Sequence, residues 1–322
     1  MSNIQNQIKL WWSVIRPKTL FASLCPVVAG ILLCSTANTA CSTLSSQIDT
    51  CNTQHIAYYI LCAILLICSV SLQVLSNLIN DYYDYKKGAD KKGRIGFKRA
   101  LAEGLVSEKQ MLKAIKITLA IALLTGLFLV IKGGLPILLI GITAILFAWL
   151  YTATHFSLSY LGIADIFCFL YYGIFAVAGT FYLCSIEHGE WRISNTENTA
   201  YDVLHTTSIW CVGAVCGLIS MTVLMINNLR DTDDDRIAGK KTLPVRFGKK
   251  TCEYMLLIYS LLMLILTFTA FGLSFTNLIF IPAFMLYQQV ASAQGKEYNK
   301  CLFKAGKLNL FFVLLLALEV FL

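Results

Sequence analysis

The sequence predicts an all-α, polytopic membrane protein, and three observations carry that prediction. Hydrophobic residues fill 57% of the 322 positions and charged residues only 14%, where soluble domains carry about 25% charged residues. The apolar residues fall in runs close to the roughly 20 positions a helix needs to cross a bilayer. Lys and Arg gather between alternate runs, as the positive-inside rule requires. At a mean hydropathy of +0.68, a soluble fold would have too much apolar surface to bury.

The elements follow in order. The N-terminus lacks a signal-peptide cleavage pattern. Ile8, Trp11, Trp12 and Ile15 recur at helical spacing beside Lys9, Arg16 and Lys18, which predicts a short interfacial helix leading into the first span. Nine apolar segments come next, at about 19–35, 56–82, 112–131, 134–152, 160–184, 206–228, 253–272, 274–291 and 307–322. Gly133–Gly134 and Gly272 mark two tight turns between consecutive segments. With nine transmembrane helices and the N-terminus inside, 24 of the 26 Lys and Arg residues share one side, and only Lys132 and Arg192 face the other. A miscount by one span would scatter these charges over both faces, so the pattern predicts N-in, C-out. The 153–159 loop, placed inside, carries no Lys or Arg. The net charge of +8 is spread through short loops between apolar runs, which argues against a nucleic-acid partner.

Twelve cysteines form no CxxC pair, and most lie inside apolar runs. They fit small apolar helix residues better than a disulfide framework. Cys34, Cys41 and Cys51 flank or lie in one loop expected outside the membrane, and the sequence leaves a pairing among them open.

The polar residues concentrate in two places. Asn77, Asn80, Asp81 and Asp84 sit at i, i+3, i+4 and i+7, so they share one helix face. Asn228, Asp231 and Asp235 repeat this at i, i+3 and i+7, and Asn77 to Asp81 has the spacing of Asn227 to Asp231. Each cluster ends an even-numbered span. The sequence thus predicts a single domain over 1–322 with two pseudo-repeated four-helix halves, about 10–152 and 160–291, plus a final helix at 307–322. Stacked carboxylates repel one another, and the negative end of the helix dipole disfavours them. A divalent cation would reward them: Mg²⁺ takes oxygen ligands, commonly one or two carboxylates plus substrate phosphates. Arg94, Lys98 and Arg99 follow the first cluster, and Lys240, Lys241 and Arg246 the second. They suit the outer oxygens of a diphosphate, although positive-inside topology alone accounts for many of them.

These residues resemble a family. Asn80-Asp81-Tyr82-Tyr83-Asp84 and Asp231-x-x-x-Asp235 are similar to the two Asp-rich motifs of the UbiA superfamily of intramembrane aromatic prenyltransferases. The segments Arg16-Pro17-Lys18-Thr19-Leu20, Asn77 to Asp90, Arg94-Ile95-Gly96, Tyr151-Thr152, Tyr160 to Asp165, Asn227 to Arg236 and Gly239 to Leu243 resemble its 1,4-dihydroxy-2-naphthoate polyprenyltransferase branch. The sequence departs from the pattern in the loop after the first motif: Gly88 stands where the wider superfamily has a third Asp, with Asp90 beyond it. Lys92, Gly93 and Phe97 replace Pro, Asp and Pro of the branch.

The resemblance implies a nine-helix bundle and a Mg²⁺-dependent enzyme of menaquinone biosynthesis in a bacterial cytoplasmic (inner) membrane, its mouth on the cytoplasmic side. A polyprenyl diphosphate and 1,4-dihydroxy-2-naphthoate would react to give demethylmenaquinol, CO₂ and diphosphate. Asp81, Asp84, Asp231 and Asp235 would hold the metal and, with Asp165, form the catalytic set. Substrate contacts would come from Asn77, Asn80, Asp90, Arg94, Arg99, Asn228, Arg230, Lys240, Lys18 and Tyr151. Tyr82, Tyr83, Tyr151 and Phe156 could face an allylic cation or serve as interfacial aromatics. Asp165, at membrane depth, is a functional candidate that could orient the acceptor or a basic partner. Arg16 and Lys18 could meet a substrate carboxylate or anchor the helix to headgroups. Other aromatic acceptors, such as 4-hydroxybenzoate, homogentisate or haem, fit the superfamily motifs but less well the surrounding ones. A secondary transporter is disfavoured because its polar sites lie near the midplane, whereas these crowd at one face.

Overall fold

The computed structural model describes residues 2–41, 51–88, 99–151, 157–187 and 200–322, and among them every regular element is helical. The main helices are α1 (Ser2–Ile15), α2 (Pro17–Cys41), α3 (Cys51–Lys86), α4 (Glu108–Leu150), α5 (Ala164–Glu187), α6 (Ala200–Arg230), α7 (Thr232–Ile237), α8 (Lys249–Phe271), α9 (Phe280–Ser292) and α10 (Tyr298–Phe321). Among the described residues, six helices are long and apolar enough to cross a membrane, or seven if the bent pair of α1 and α2 is one span. Helix α9 is only 13 residues long; the 3₁₀ turn Phe275–Ile279 before it supplies the rest of its apolar run.

Helix α4 has 43 residues. At 1.5 Å per residue this is about 64 Å, twice the hydrocarbon thickness of a bilayer. The chain solves this by reversing at Gly134, whose φ of 64° and ψ of −150° break the helix. Contacts at both ends prove the reversal. Met111 packs with Leu78, Tyr83 and Trp149 in one cluster, while Leu129 and Ile137 pack with Leu61 and Leu65 in another. The expected turn at Gly133–Gly134 is therefore present, with Ser107 and Gln110 closing a capping box at the start of the first leg.

Helix α6 lies at the centre. It packs against α2, α5, α8 and α10, while α10 returns to α2 and closes the bundle. Small residues permit the tightest crossing. A Cβ on Gly173 of α5 would stand 2.5 Å from the Gly213 carbonyl oxygen and 2.6 Å from Gly217 Cα, so α5 and α6 touch backbone to backbone. A π-helical turn, Leu170–Ile174, spans this crossing. The outward faces carry Ile117, Leu124, Ile131 and Leu139, all exposed, as suits a helix bundle solvated by lipid.

Two local breaks shape the polar end of the bundle. The apolar segment expected over 160–184 is interrupted at Gly162, in left-handed conformation at φ 73°, and α5 restarts with Asp165 in its first turn. The second acidic run is not one continuous helix either. Helix α6 stops at Arg230, Asp231 adopts φ −96° and ψ 9°, and α7 begins at Thr232. The ten described free cysteines include buried Cys34; the side chains of Cys41 and Cys51 lie outside the described residues.

Candidate active site

The final turns of α3 bury Asn77, Asp81 and Asp84 at 7%, 3% and 2% exposure. Their spacing puts them on one face, as expected. Burying carboxylates is costly unless they are paired, and the pairing comes from distant parts of the chain. Arg16 and Arg99 both donate to Asp81 Oδ1. Arg99 also lies 3.8 Å from Asp84 Oδ2. Arg16 is the one non-glycine residue with positive φ among the described residues, at 56°. Proline at the next position already disfavours helical backbone there, and Arg16 turns the chain from α1 into α2 so that its guanidinium reaches α3.

The second cluster is built differently. Asp231 receives two hydrogen bonds from Arg230, from Nε and Nη2, each 2.7 Å long. The same guanidinium donates to Asn299 Oδ1 at 3.0 Å and Asn227 Oδ1 at 2.8 Å. Arg230 is thus turned inward, and Asn299 of α10 is tied to the cluster. One turn onward, Asp235 faces the site while Asp233 faces solvent, pairing with Lys249 at 3.4 Å and Arg236 at 3.9 Å. Gly239, at φ 75°, then folds the chain back. Its neighbour Lys240 stands 3.7 Å from Asp235 Oδ1 and 3.5 Å from Asp84 Oδ2. One ammonium therefore joins the two acidic clusters, which are 150 residues apart in sequence.

Between the clusters is a small polar cavity of about 50 Å³, bordered by Asn80, Asp84, Asp165, Asn228, Asp231 and Asp235. Below it opens a chamber of about 800 Å³ with mostly apolar walls. Asn80, Tyr151, Ala164 and Asn227 border both spaces, so the polar site and the apolar chamber meet at these four residues. Among the described residues the chamber wall carries two cations, Arg16 and Lys307, and no carboxylate.

The oxygens suit a hard cation. Asn80 Oδ1, Asp84 Oδ1 and Asp165 Oδ1 are buried without a hydrogen-bond partner, and all three residues border the polar cavity. Among the described residues no three Asp, Glu, His or Cys side chains converge as a ready-made metal cage. Mg²⁺ does not require one, since it keeps waters or substrate phosphates in most positions. The donor set therefore fits Mg²⁺ brought in with a phosphate ligand.

Most of the expected site residues are brought together here: Asn77, Asn80, Asp81, Asp84, Arg99, Tyr151, Asp165, Asn228, Arg230, Asp231, Asp235 and Lys240. Asp90, Arg94, Phe156 and the Lys18 side chain lie outside the described residues. Of the aromatic candidates, Tyr151 borders the chamber. Tyr82 and Tyr83 instead stack edge to face on each other at 5.2 Å, and Tyr83 on Trp149 at 5.8 Å. Three polar residues at the site were not foreseen. Asn227 had a signal, since it matches Asn77 in the echo. Thr242 borders the polar cavity, and Asn299 sits in a basic stretch with no pattern to mark it.

Comparison with known proteins places this geometry in a family. The model of the UbiA prenyltransferase family matches residues 51–315. The chain belongs to the UbiA prenyltransferase family. It is 30% identical to the 1,4-dihydroxy-2-naphthoate octaprenyltransferase of Haemophilus influenzae over 98% of this chain and 96% of that one. It is 31% identical to the enzyme of that name from Escherichia coli, over 76% of this chain and 70% of that one. The fold agrees with that of a UbiA homolog from Archaeoglobus fulgidus, at TM-score 0.59 and 17% identity over 97% of this chain and 98% of that one. The same homolog has been solved with DMAPP and Mg²⁺, and this chain superimposes on that structure at TM-score 0.58 and 17% identity, over 96% of this chain and 98% of that one. This UbiA-family chain is thus a prenyltransferase.

Proposed function

We propose that this enzyme joins a polyprenyl diphosphate to 1,4-dihydroxy-2-naphthoate, releasing CO₂ and diphosphate and forming a demethylmenaquinol. The observation that carries the reading is the Lys240 bridge between Asp84 and Asp235 directly above an apolar chamber. It supports the reading of an anion-and-metal site at the mouth of a space suited to a prenyl tail. The named relatives support the choice of acceptor.

The residues divide the work. Asp81, Asp84, Asp231 and Asp235, with Asn80, would hold Mg²⁺, which when bound supplies positive charge to the departing diphosphate. Arg99 and Lys240 bind outer phosphate oxygens, exchanging part of their carboxylate contacts for them. The allylic C–O bond breaks, and its electron pair leaves with the diphosphate. The chamber wall excludes the water that would otherwise capture the allylic cation. Tyr151, at the junction, offers its ring to that cation. The electron-rich ring of the acceptor attacks the allylic carbon at the position bearing the carboxylate. A C–C bond forms, the bond to the carboxylate breaks as CO₂, and its electron pair returns to the ring.

In this reading the chain makes nine crossings with the N-terminus in the cytoplasm, as two four-helix halves plus α10. The second leg of α4 and the Phe275–Ser292 segment supply the crossings that helix length alone does not count. The site mouth then faces the cytoplasm of a bacterial cell, where soluble naphthoate arrives, and the donor and product exchange with the inner membrane.

The test is product analysis by mass spectrometry. Enzyme in membranes is incubated with dihydroxynaphthoate and prenyl diphosphates of several lengths, with Mg²⁺, with excess EDTA, and with Mg²⁺ restored. A decarboxylated prenyl naphthoquinol that appears only with Mg²⁺ is the expected result. Full activity in excess EDTA would exclude the metal role, and prenylation of a different phenol in preference would exclude the acceptor.

A further inference from the structure

One buried oxygen of the chamber wall, Gln73 Oε1, lacks a hydrogen-bond partner, as do Asn80 Oδ1 and Ser220 Oγ, and its surroundings say what kind of partner it needs. Gln73 lies on α3 one turn before Asn77, is 7% exposed and borders the chamber. Asn77 uses Nδ2 to donate to the Ile15 carbonyl at 3.2 Å and to Thr19 Oγ1 at 3.1 Å. The Thr19 hydroxyl hydrogen goes to the Arg16 carbonyl at 2.9 Å, so Thr19 Oγ1 can only accept from its neighbours. Gln73 Nε2 completes the set, approaching Thr19 Oγ1 and Asn77 Oδ1 at 3.4 Å each. Both partners are acceptors, so the network fixes the amide with its NH₂ toward α2. Its other atom, Oε1, is buried and without a partner.

A buried carbonyl oxygen without a donor is costly. Something that enters the chamber should supply an O–H or N–H. A prenyl diphosphate cannot: its tail is hydrocarbon and its ionised head only accepts. A phenolic acceptor can. Gln73 lies eight residues before Asp81, which is about 12 Å along the helix, so it is on the chamber side of the diphosphate site. We propose that Gln73 Oε1 accepts a hydrogen bond from a ring hydroxyl of the aromatic acceptor and so fixes how the ring faces the allylic carbon. This rests on the reading of the enzyme as an aromatic prenyltransferase, and it identifies a residue by which the chamber tells acceptor from donor.

The experiment compares the acceptor with its two monomethyl ethers, each lacking one hydroxyl hydrogen, in wild type, Gln73→Leu and Gln73→Glu. Wild type is expected to bind one of the two ethers about tenfold more weakly than the diol, the scale of one hydrogen bond. Gln73→Leu should raise KM for the diol about tenfold, leave KM for the prenyl diphosphate unchanged, and bind diol and ether within about twofold of each other. Gln73→Glu keeps an accepting oxygen and should keep the discrimination. Three results overturn the proposal: wild type that binds both ethers as it binds the diol, discrimination that persists in Gln73→Leu and is therefore steric, or an equal rise in KM for the prenyl diphosphate. Should Gln73→Leu fail to fold, the wild-type and Gln73→Glu comparisons still decide. Absence of any naphthoate turnover by wild type would sink the acceptor assignment instead. The ethers of whichever phenol it does prenylate then read Gln73 directly.

Discussion

Replacing Arg230 with Met removes a heavily engaged cation of the site. Its guanidinium makes two 2.7 Å bonds to Asp231 and one each to Asn227 and Asn299, and both side chains of the ion pair are at most 4% exposed. Breaking a buried pair by removing one partner costs about 3–5 kcal/mol, because the remaining charge stays desolvated. Losing the two amide contacts adds about 1 kcal/mol each. Arg230→Met should therefore lower stability by roughly 5–7 kcal/mol, near the whole margin of many domains. The double variant Arg230→Met/Asp231→Asn removes the stranded charge and should recover most of that loss while remaining inactive, if Asp231 holds the metal as proposed. The assay is thermal unfolding of detergent-purified protein, run beside prenyl transfer. A single variant that melts with wild type, or a double variant no more stable than the single, would refute the claim that Arg230 acts chiefly by neutralising buried Asp231.

Other outcomes follow from the same geometry. Asp81→Ala and Asp235→Ala should each cut prenyl transfer by at least about a thousandfold, the scale of electrostatic transition-state stabilisation, while the protein still inserts; retained turnover counts against either assignment. Lys240→Met should raise KM for the prenyl diphosphate about tenfold or more, since charge-assisted hydrogen bonds are worth about 1.5–3 kcal/mol, and steady-state kinetics with varied donor reads this. Gly173→Leu should abolish folded protein, as the added side chain meets Gly213 O and Gly217 Cα within 2.6 Å; a monodisperse size-exclusion profile equal to wild type would contradict the crossing.

Local patterns exposed much of this in the sequence. The Asn77–Asp84 face was legible because one regular helix carries all of it, and helix spacing alone decides which residues align. The tight turn at Gly133–Gly134 was legible because only glycine is comfortable at Gly134's φ of 64°. The spacing predicts one helical face for the second cluster, yet the helix ends at Arg230 and restarts at Thr232. The inward set, Asp231 and Asp235, survives that break because the Asp235 amide still bonds to the Asp231 carbonyl at 2.8 Å. What spacing cannot give is pairing across the bundle. Nothing in the Arg16-Pro17-Lys18 segment says that Arg16 reaches Asp81 rather than a headgroup, and nothing around Asn299 ties it to Arg230. Those partners are chosen by packing between helices far apart in sequence.

That packing has an electrostatic consequence for how substrate arrives. Among the described residues the site holds five carboxylates, Asp81, Asp84, Asp165, Asp231 and Asp235, and four cations, Arg16, Arg99, Arg230 and Lys240, stand within 4 Å of one of them. With every group ionised, one negative charge is left over. A prenyl diphosphate carries about three more, so alone it meets net repulsion, in a cavity where low dielectric enlarges the penalty. With about two Mg²⁺ ions, the number common in phosphoryl clamps, it carries about one positive charge and the sum is zero. The basic residues already present are occupied with the carboxylates, so they cannot replace the metal without stranding an acid. The donor should therefore enter as its magnesium complex. An unreactive thiolodiphosphate analogue should bind at least about a hundredfold more weakly in EDTA than in Mg²⁺ by calorimetry, and the gap should narrow in Asp84→Asn, which removes the surplus negative charge. Equal binding with and without metal would mean that the site's own cations carry the diphosphate, and that the charge balance drawn from these pairs is wrong.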